Sequence, residues 1–218
     1  MHEIVITSDG SHTIYVPELN EHYHSIHGAI QESRHIFIES GLKFCNTDPV
    51  SIFEVGFGTG LNALLTLIEG ARIQKTISYT SIEKFPLNGN ILRLLNHRDM
   101  TGDTGTMIFE SIHKAPWNIK AKISSIFNIE KIKGDLITDD VTGCFDLIYF
   151  DAFGPDKQPE MWTQAVFSKI AAITKKGGIF LTYSAKGEVK RNLRSCGFEV
   201  TLLPGPPGKR QIIRAIKI

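Results

Sequence analysis

Four acidic residues stand where apolar runs end: Glu54 in SIFEV, Glu83 closing ISYTSIE, Asp135 after KIKG and Asp151 after CFDLIYF. Carboxylates at such ends accept hydrogen bonds from hydroxyl and amino groups and attract cations. Glu54 is followed by Gly56, Gly58 and Gly60, then by Leu61, Leu64, Leu65 and Ile68 at the i, i+3, i+4, i+7 spacing of one helix face. Strand, glycine turn and helix together bring backbone close to a ligand and offer it the unpaired N–H groups of a helix start. The dinucleotide fingerprint G-x-G-x-x-G needs its third glycine at position 61, which is Leu61. The dinucleotide pyrophosphate is therefore not the expected ligand.

The elements around these acids alternate. Glu3–Val16 reads as a hairpin turning at Asp9-Gly10, and Gly28–Phe44 as a helix after the polar, histidine-rich stretch 17–27. This N-terminal segment, residues 1–48, is expected to be an addition that supplies substrate contacts, with the main domain over 49–218. In that domain Ser51–Val55, Ile77–Glu83, Ile123–Lys133, Cys144–Phe150 and Ile179–Ser184 read as strands. Helices are expected after the glycine turn, over Asn88–Asn96, in a segment carrying Trp162, Val166, Ile170 and Ile173, and over Glu188–Ser195. Gly177-Gly178 is read as the end of the third of these. Met100–Trp117 is either irregular or a helix whose bounds the pattern does not give. Phe198–Leu203 and Gln211–Ile218, joined by PGPPGKR, are expected to close the sheet as an antiparallel pair. The whole predicts a doubly wound, mostly parallel α/β sheet, with all four acids at the carboxyl ends of its strands, where such sheets bind ligands.

Composition narrows the class. The chain has 218 residues, 42% hydrophobic and 22% charged, as in a globular domain. A formal net charge of +1 gives no global basic field, so nucleic-acid binding requires a local patch. Three cysteines without a CxxC pairing point to a reduced, cytoplasmic setting rather than disulfides or structural zinc. No signal peptide pattern opens the sequence, and no apolar run approaches a membrane span, so no membrane association is expected.

The pattern acid-x-G-x-G-x-G resembles the glycine motif of methyltransferases that use S-adenosylmethionine. Beyond it, TSDGS near the start, Glu32-Ser33-Arg34, EVGFGTGLN, EKFPL, GD at 134–135, FDAFGPDKQPEMW, TYSAKGEVKRNL and GKRQIIRA occur in family order along nearly the whole chain. They resemble the methyltransferase domain of the bifunctional proteins that make 5-methylaminomethyl-2-thiouridine in tRNA. The resemblance implies a class I, Rossmann-like methyltransferase that methylates the exocyclic amine of a modified wobble uridine. It implies a cofactor site built from Glu54, Gly56, Phe57, Gly58, Thr59, Gly60, Asn62, Glu83, Lys84 and Asp135. Glu83 is expected on the ribose hydroxyls and Asp135 on the adenine amino group. On the tRNA side it implies Glu32, Tyr183, Ser184, Lys209 and Arg210. The sequence reads as the stand-alone form without the flavin-dependent half, so no FAD is expected and a separate oxidase or upstream enzyme is a possible partner. FDAF replaces the LDGF usual in the bifunctional proteins.

Asp151 is the candidate catalytic residue, holding the acceptor amine and taking its proton. A carboxylate also favours the ammonium form, so Asp151 is alternatively an aiming group only. It is otherwise the cap of a turn after the fourth strand. Glu83 paired on the surface with Lys84, and Asp135 as a plain Gly-Asp turn, are the corresponding structural readings. His22, His24 and His27 invite a metal, but the reaction needs none and their spacing suits no compact ligand set. Lys186, Lys190, Arg191 and Arg194, with the Lys209-Arg210 turn, form a possible phosphate-binding patch. Three rivals remain: a methyltransferase of small amines, a nicotinamide oxidoreductase disfavoured by Leu61, and a non-catalytic RNA-binding module.

Overall fold

A computed structural model describes residues 2–97 and 99–218. Three short strands, β1 (Glu3–Ile6), β2 (His12–Val16) and β3 (Glu21–His22), form an antiparallel sheet in that order. Helix α1 (Ala29–Ser33) follows and widens into a π-helical stretch over Arg34–Leu42. The Asp9 carboxylate ties the β1–β2 turn to this helix by accepting from Ser11 N–H at 3.0 Å and Gln31 N–H at 2.9 Å. Ile14, Ala29, Ile36 and Phe37 then share one apolar cluster with Leu61, Leu64 and Tyr79, so the N-terminal segment is packed onto the larger sheet.

That sheet has eight strands: β4 (Val50–Val55), β5 (Ile77–Glu83), β6 (Ala121–Lys122), β7 (Phe127–Lys133), β8 (Phe145–Phe150), β9 (Thr174–Thr182), β10 (Phe198–Pro204) and β11 (Gln211–Lys217). Their order is β10-β11-β9-β8-β4-β5-β7-β6, parallel through the middle and antiparallel at both edges. Helix α2 (Leu61–Arg72) covers one face together with the π-helical stretch. Helices α5 (Gln164–Ile173) and α6 (Gly187–Ser195) cover the other. The short α3 (Gly89–Leu92) follows β5, and α4 (Gly102–Lys114) packs beside α2 on the same face. All six residues of β8 are buried, as a strand covered on both faces requires.

The sequence expectation of a doubly wound sheet with a closing antiparallel pair holds, and several local readings change. The strand expected over Ile123–Lys133 forms only over Phe127–Lys133, after a turn from the antiparallel edge strand β6. The stretch 17–27 contains a third strand, because His22 pairs with Tyr15 across the small sheet. Met100–Trp117 is mostly helix α4, which its Gly- and Thr-rich start concealed. Only Gly89–Leu92 of the expected Asn88–Asn96 helix forms, capped by the Asn88 side chain. Gly177-Gly178 does not end α5: the helix stops at Ile173, and the pair lies inside β9 where its register against β8 shifts.

Candidate active site

Strand register assembles the site. Val55 pairs with Ile82 on one side and Phe150 on the other, so Gly56, Glu83 and Asp151 emerge from the sheet at one level. Asp151 N–H donates to Val55 C=O at 3.0 Å, and Gly56 N–H to Ile82 C=O at 3.0 Å. Glu83 pairs with Lys133, which brings Gly134 and Asp135 to the same edge. A cavity of about 600 Å³ opens there, a size that takes a drug-sized ligand.

The glycine turn forms one wall. Gly56 has a φ of +87°, and a Cβ on it would lie 2.8 Å from Asp151 C=O. No other residue lets β4 and β8 diverge so closely. The Glu83 carboxylate grips the turn, accepting from Gly58 N–H at 3.0 Å and from Phe85 N–H at 2.8 Å. Each carboxylate oxygen keeps a further lone pair for a ligand hydroxyl. Across the mouth, Lys84 pairs with Asp135 at 2.8 Å, and Asp135 also accepts from Ile137 N–H at 2.9 Å. The Lys84 partner and that backbone donor outweigh burial and hold the Asp135 carboxyl below its ordinary range.

At the other end Asn62, on α2, donates its amide to Asp151 at 2.8 Å. Burial among protein atoms pushes the Asp151 carboxyl up to about 7, against the Asn62 hydrogen bond. The Glu32 charge raises it further, while the Lys209 charge lowers it. Lys209 and Glu32 are 2.6 Å apart, and the Lys209 ammonium lies 5.1 Å from the Tyr183 ring centroid. The Glu32 carboxylate also accepts from Ser25 N–H at 2.8 Å. Tyr183 donates its hydroxyl to Ala152 C=O at 2.7 Å.

Eleven sequence-predicted residues line this cavity: Gly56, Phe57, Gly58, Glu83, Lys84 and Asp135 toward one end, and Asn62, Asp151, Glu32, Tyr183 and Lys209 toward the other. Five lie outside its lining. Glu54 is fully buried behind it, near Tyr79, Ser81 and Asn62, with neither carboxyl oxygen hydrogen-bonded among the described residues. Burial pushes its carboxyl up to about 8, which favours a neutral acid at neutral pH in place of the cofactor-binding carboxylate expected from the sequence. Thr59 is turned inward, 2.8 Å from His24 Nε2. The Thr59 C=O faces the His113 ring at 3.1 Å, which leaves Gly60 beneath that ring. Ser184 is buried, and Arg210 is exposed beside Lys209. Lys186 pairs with Asp156, so it is not an open cation of the suggested patch.

The histidine-rich stretch contributes more than its pattern foretold. His22, Tyr23, His24 and Ser25 line the cavity, and the Tyr23 ring packs against Phe153 at 5.1 Å and over Gly58. The N-terminal segment was expected to supply substrate contacts, but no pattern in the sequence singled out these residues. Phe85, 69% exposed at the mouth, was legible only as part of EKFPL. Among the described residues no three His, Cys, Asp or Glu side chains gather as a metal-binding cluster. No helix among them is long and apolar enough to cross a membrane.

A glycine turn clasped by a strand-end carboxylate, with a second acid two strands away, fits S-adenosylmethionine: Glu83 has lone pairs free for hydroxyls, and the turn leaves room beside Asn62. Strand order and cavity thus define a Rossmann-like fold with its ligand site at the carboxyl ends of the strands. A family model described as S-adenosyl-L-methionine-dependent methyltransferase matches residues 112–218. The tRNA 5-methylaminomethyl-2-thiouridine biosynthesis bifunctional protein MnmC of Cupriavidus metallidurans is 30% identical, over 96% of this chain and 33% of its own length. Its counterpart in Methylobacillus flagellatus is 28% identical over 91% and 33%. The chain spans about a third of the length of these curated relatives. The crystal structure of MNMC2 from Aquifex aeolicus superimposes with a TM-score of 0.79 at 26% identity, covering 99% of this chain and 70% of that one. Spermidine synthase from Thermotoga maritima shares the fold alone, at a TM-score of 0.57 and 13% identity, over 98% and 71%. Residues 112–218 thus match the S-adenosyl-L-methionine-dependent methyltransferases, and nearly the whole chain is similar to about a third of the length of the MnmC proteins.

Proposed function

We propose that this enzyme methylates the exocyclic amine of 5-aminomethyl-2-thiouridine at the tRNA wobble position. The observation that carries the reading is the Asn62–Asp151 pair, at the end of the cavity opposite Asp135 and next to Glu32, Tyr183 and Lys209. When bound, S-adenosylmethionine supplies a methyl group on a positive sulfur, already a strong electrophile. The protein's work is then to orient the acceptor and manage its proton. Glu83 takes the ribose hydroxyls, Gly56, Gly58 and Asn62 border the amino-acid portion, and the Asp135 side takes the adenine.

Asp151 accepts a hydrogen bond from the acceptor amine and so aims its lone pair. The bound cofactor would supply the methyl group to that lone pair and leave as the neutral sulfide. One proton then leaves the nitrogen. With its carboxyl near 7, Asp151 is matched to accept that proton at working pH, and it stabilises the ammonium form less than an ordinary carboxylate does. Tyr183 offers a face on which an unstacked uracil can lie. A separate oxidase or upstream enzyme supplies the aminomethyl group, and the setting is the cytoplasm. Labelled S-adenosylmethionine tests the reading with two tRNA pools, one carrying 5-aminomethyluridine and one lacking it. Label only in the first, lost with Asp151→Ala, supports it; label in small amines but in neither tRNA replaces it with a small-amine methyltransferase.

A further inference from the structure

The acceptor end of the cavity holds two carboxyl groups, Asp151 and Glu32, around the place for an amine. Two acids there create a difficulty: each stabilises the protonated amine, which has no lone pair to give. Lys209 answers it. Its ammonium sits 2.6 Å from Glu32 and 5.1 Å from the centroid of the Tyr183 ring, and it also acts on Asp151 through space. Lys209 comes from the turn between β10 and β11, and Glu32 from α1, so the pair joins two distant parts of the chain across the site.

We propose that Lys209 is a positioning residue that cancels the Glu32 charge and thereby keeps the acceptor amine able to lose its proton. The inference rests on the aminomethyl-tRNA reading above. Other charged groups around this end do not substitute for it. His24 is buried and held near 4, so it is neutral at working pH. Glu21, whose charge reaches Tyr183, adds to the negative side. His22 lines the same wall, and Lys157 stands on the loop after β8, toward the mouth. Lys209 is the cation seated directly against Glu32. With Lys209 charged, the pair is neutral and Asp151 is the acid left to meet the amine. Without it, Glu32 becomes a second anion, the bound amine stays an ammonium ion, and binding persists while transfer fails.

The test is the pH dependence of methyl transfer to aminomethyluridine tRNA by wild type, Lys209→Met, Lys209→Arg and the double variant Glu32→Gln/Lys209→Met. Cofactor binding to each variant, measured calorimetrically, reports folding. Lys209→Met should move the rising limb of the kcat profile about one pH unit upward, a loss of about tenfold at pH 7, with KM for the tRNA unchanged or lower. Lys209→Arg should keep the wild-type position, and the double variant should return toward it because the pair is again neutral. A Lys209→Met profile that falls equally at every pH overturns the proposal, as does a double variant that stays shifted. A wild-type protein inert on this tRNA at all pH values overturns the acceptor reading and the counter-charge together. An active wild type with an unshifted Lys209→Met profile overturns the counter-charge alone.

Discussion

Replacing Asp151 by Asn should make this protein more stable while removing most of its activity. The Asp151 carboxyl is pushed from 3.8 to about 7 by burial, so folding holds a proton that the unfolded chain releases. The raised value fixes the sign: the wild type keeps this stability below the unfolded value near 4 and loses it as pH rises toward and through 7. At pH 7 the loss is at most about 4 kcal/mol, from roughly three pKa units at about 1.4 kcal/mol each. The carboxyl meets solvent through the cavity mouth, so about 2 kcal/mol is the realistic figure. Asn keeps an acceptor for the Asn62 amide and never carries the charge. Urea unfolding at pH 7 and pH 5 measures the effect. Asp151→Asn should gain about 2 kcal/mol at pH 7, equivalent to roughly 4–8 °C in Tm, and about half of that at pH 5. Methyl transfer should fall by about two orders of magnitude, the usual contribution of a proton acceptor in the transition state. A variant less stable than wild type at pH 7, or one with the same stability difference at both pH values, would refute the reasoning.

Three further perturbations read other parts of the structure. Glu83→Ala removes the carboxylate that clasps Gly58 and Phe85, and should weaken S-adenosylmethionine about tenfold or more by calorimetry; unchanged affinity would place the ribose elsewhere. Lys131 is buried, donates to Ile112 and His113 C=O at 2.9 and 3.1 Å, and is held down near 8 by burial. Its lowered value means wild-type stability should rise between pH 8 and about 10.5, a rise that Lys131→Met should lack in urea unfolding. His97 is fully buried, with both ring nitrogens unpaired among the described residues, and burial holds it near 3. Wild-type stability should therefore fall as pH drops below about 6.5, and His97→Leu should flatten that acid limb; an identical limb would mean that His97 does not titrate with unfolding.

The sheet was legible because β4 and β8 are buried on both faces and so write themselves as near-continuous apolar runs, while β5 alternates and closes on an acid. That placed Glu83, Asp135 and Asp151 at one edge before any coordinates. Helix α4 was not legible, since Gly102 and Gly105 at its start argue locally against a helix that packing against α2 sustains. Glu54 shows the deeper limit. Its type and spacing resemble a ligand-facing acid, yet strand alternation turns it away from the cavity, into the space near Tyr79 and Ser81. Tyr23 and His24 escaped for the opposite reason: they reach the site only because β3 lays their stretch across the glycine turn, a long-range packing that no local pattern records.

The central claim is that the acceptor is the aminomethyl group of a wobble uridine, and the nucleosides of the treated tRNA test it most directly. After incubation with the enzyme and S-adenosylmethionine, aminomethyl-bearing tRNA would be digested and its nucleosides weighed by mass spectrometry. The account predicts that 5-aminomethyl-2-thiouridine gains one methyl group on its exocyclic nitrogen, with Asp151→Ala leaving it unmodified. A methyl group on any other nucleoside, or unmodified tRNA beside a protein that binds the cofactor normally, would contradict it.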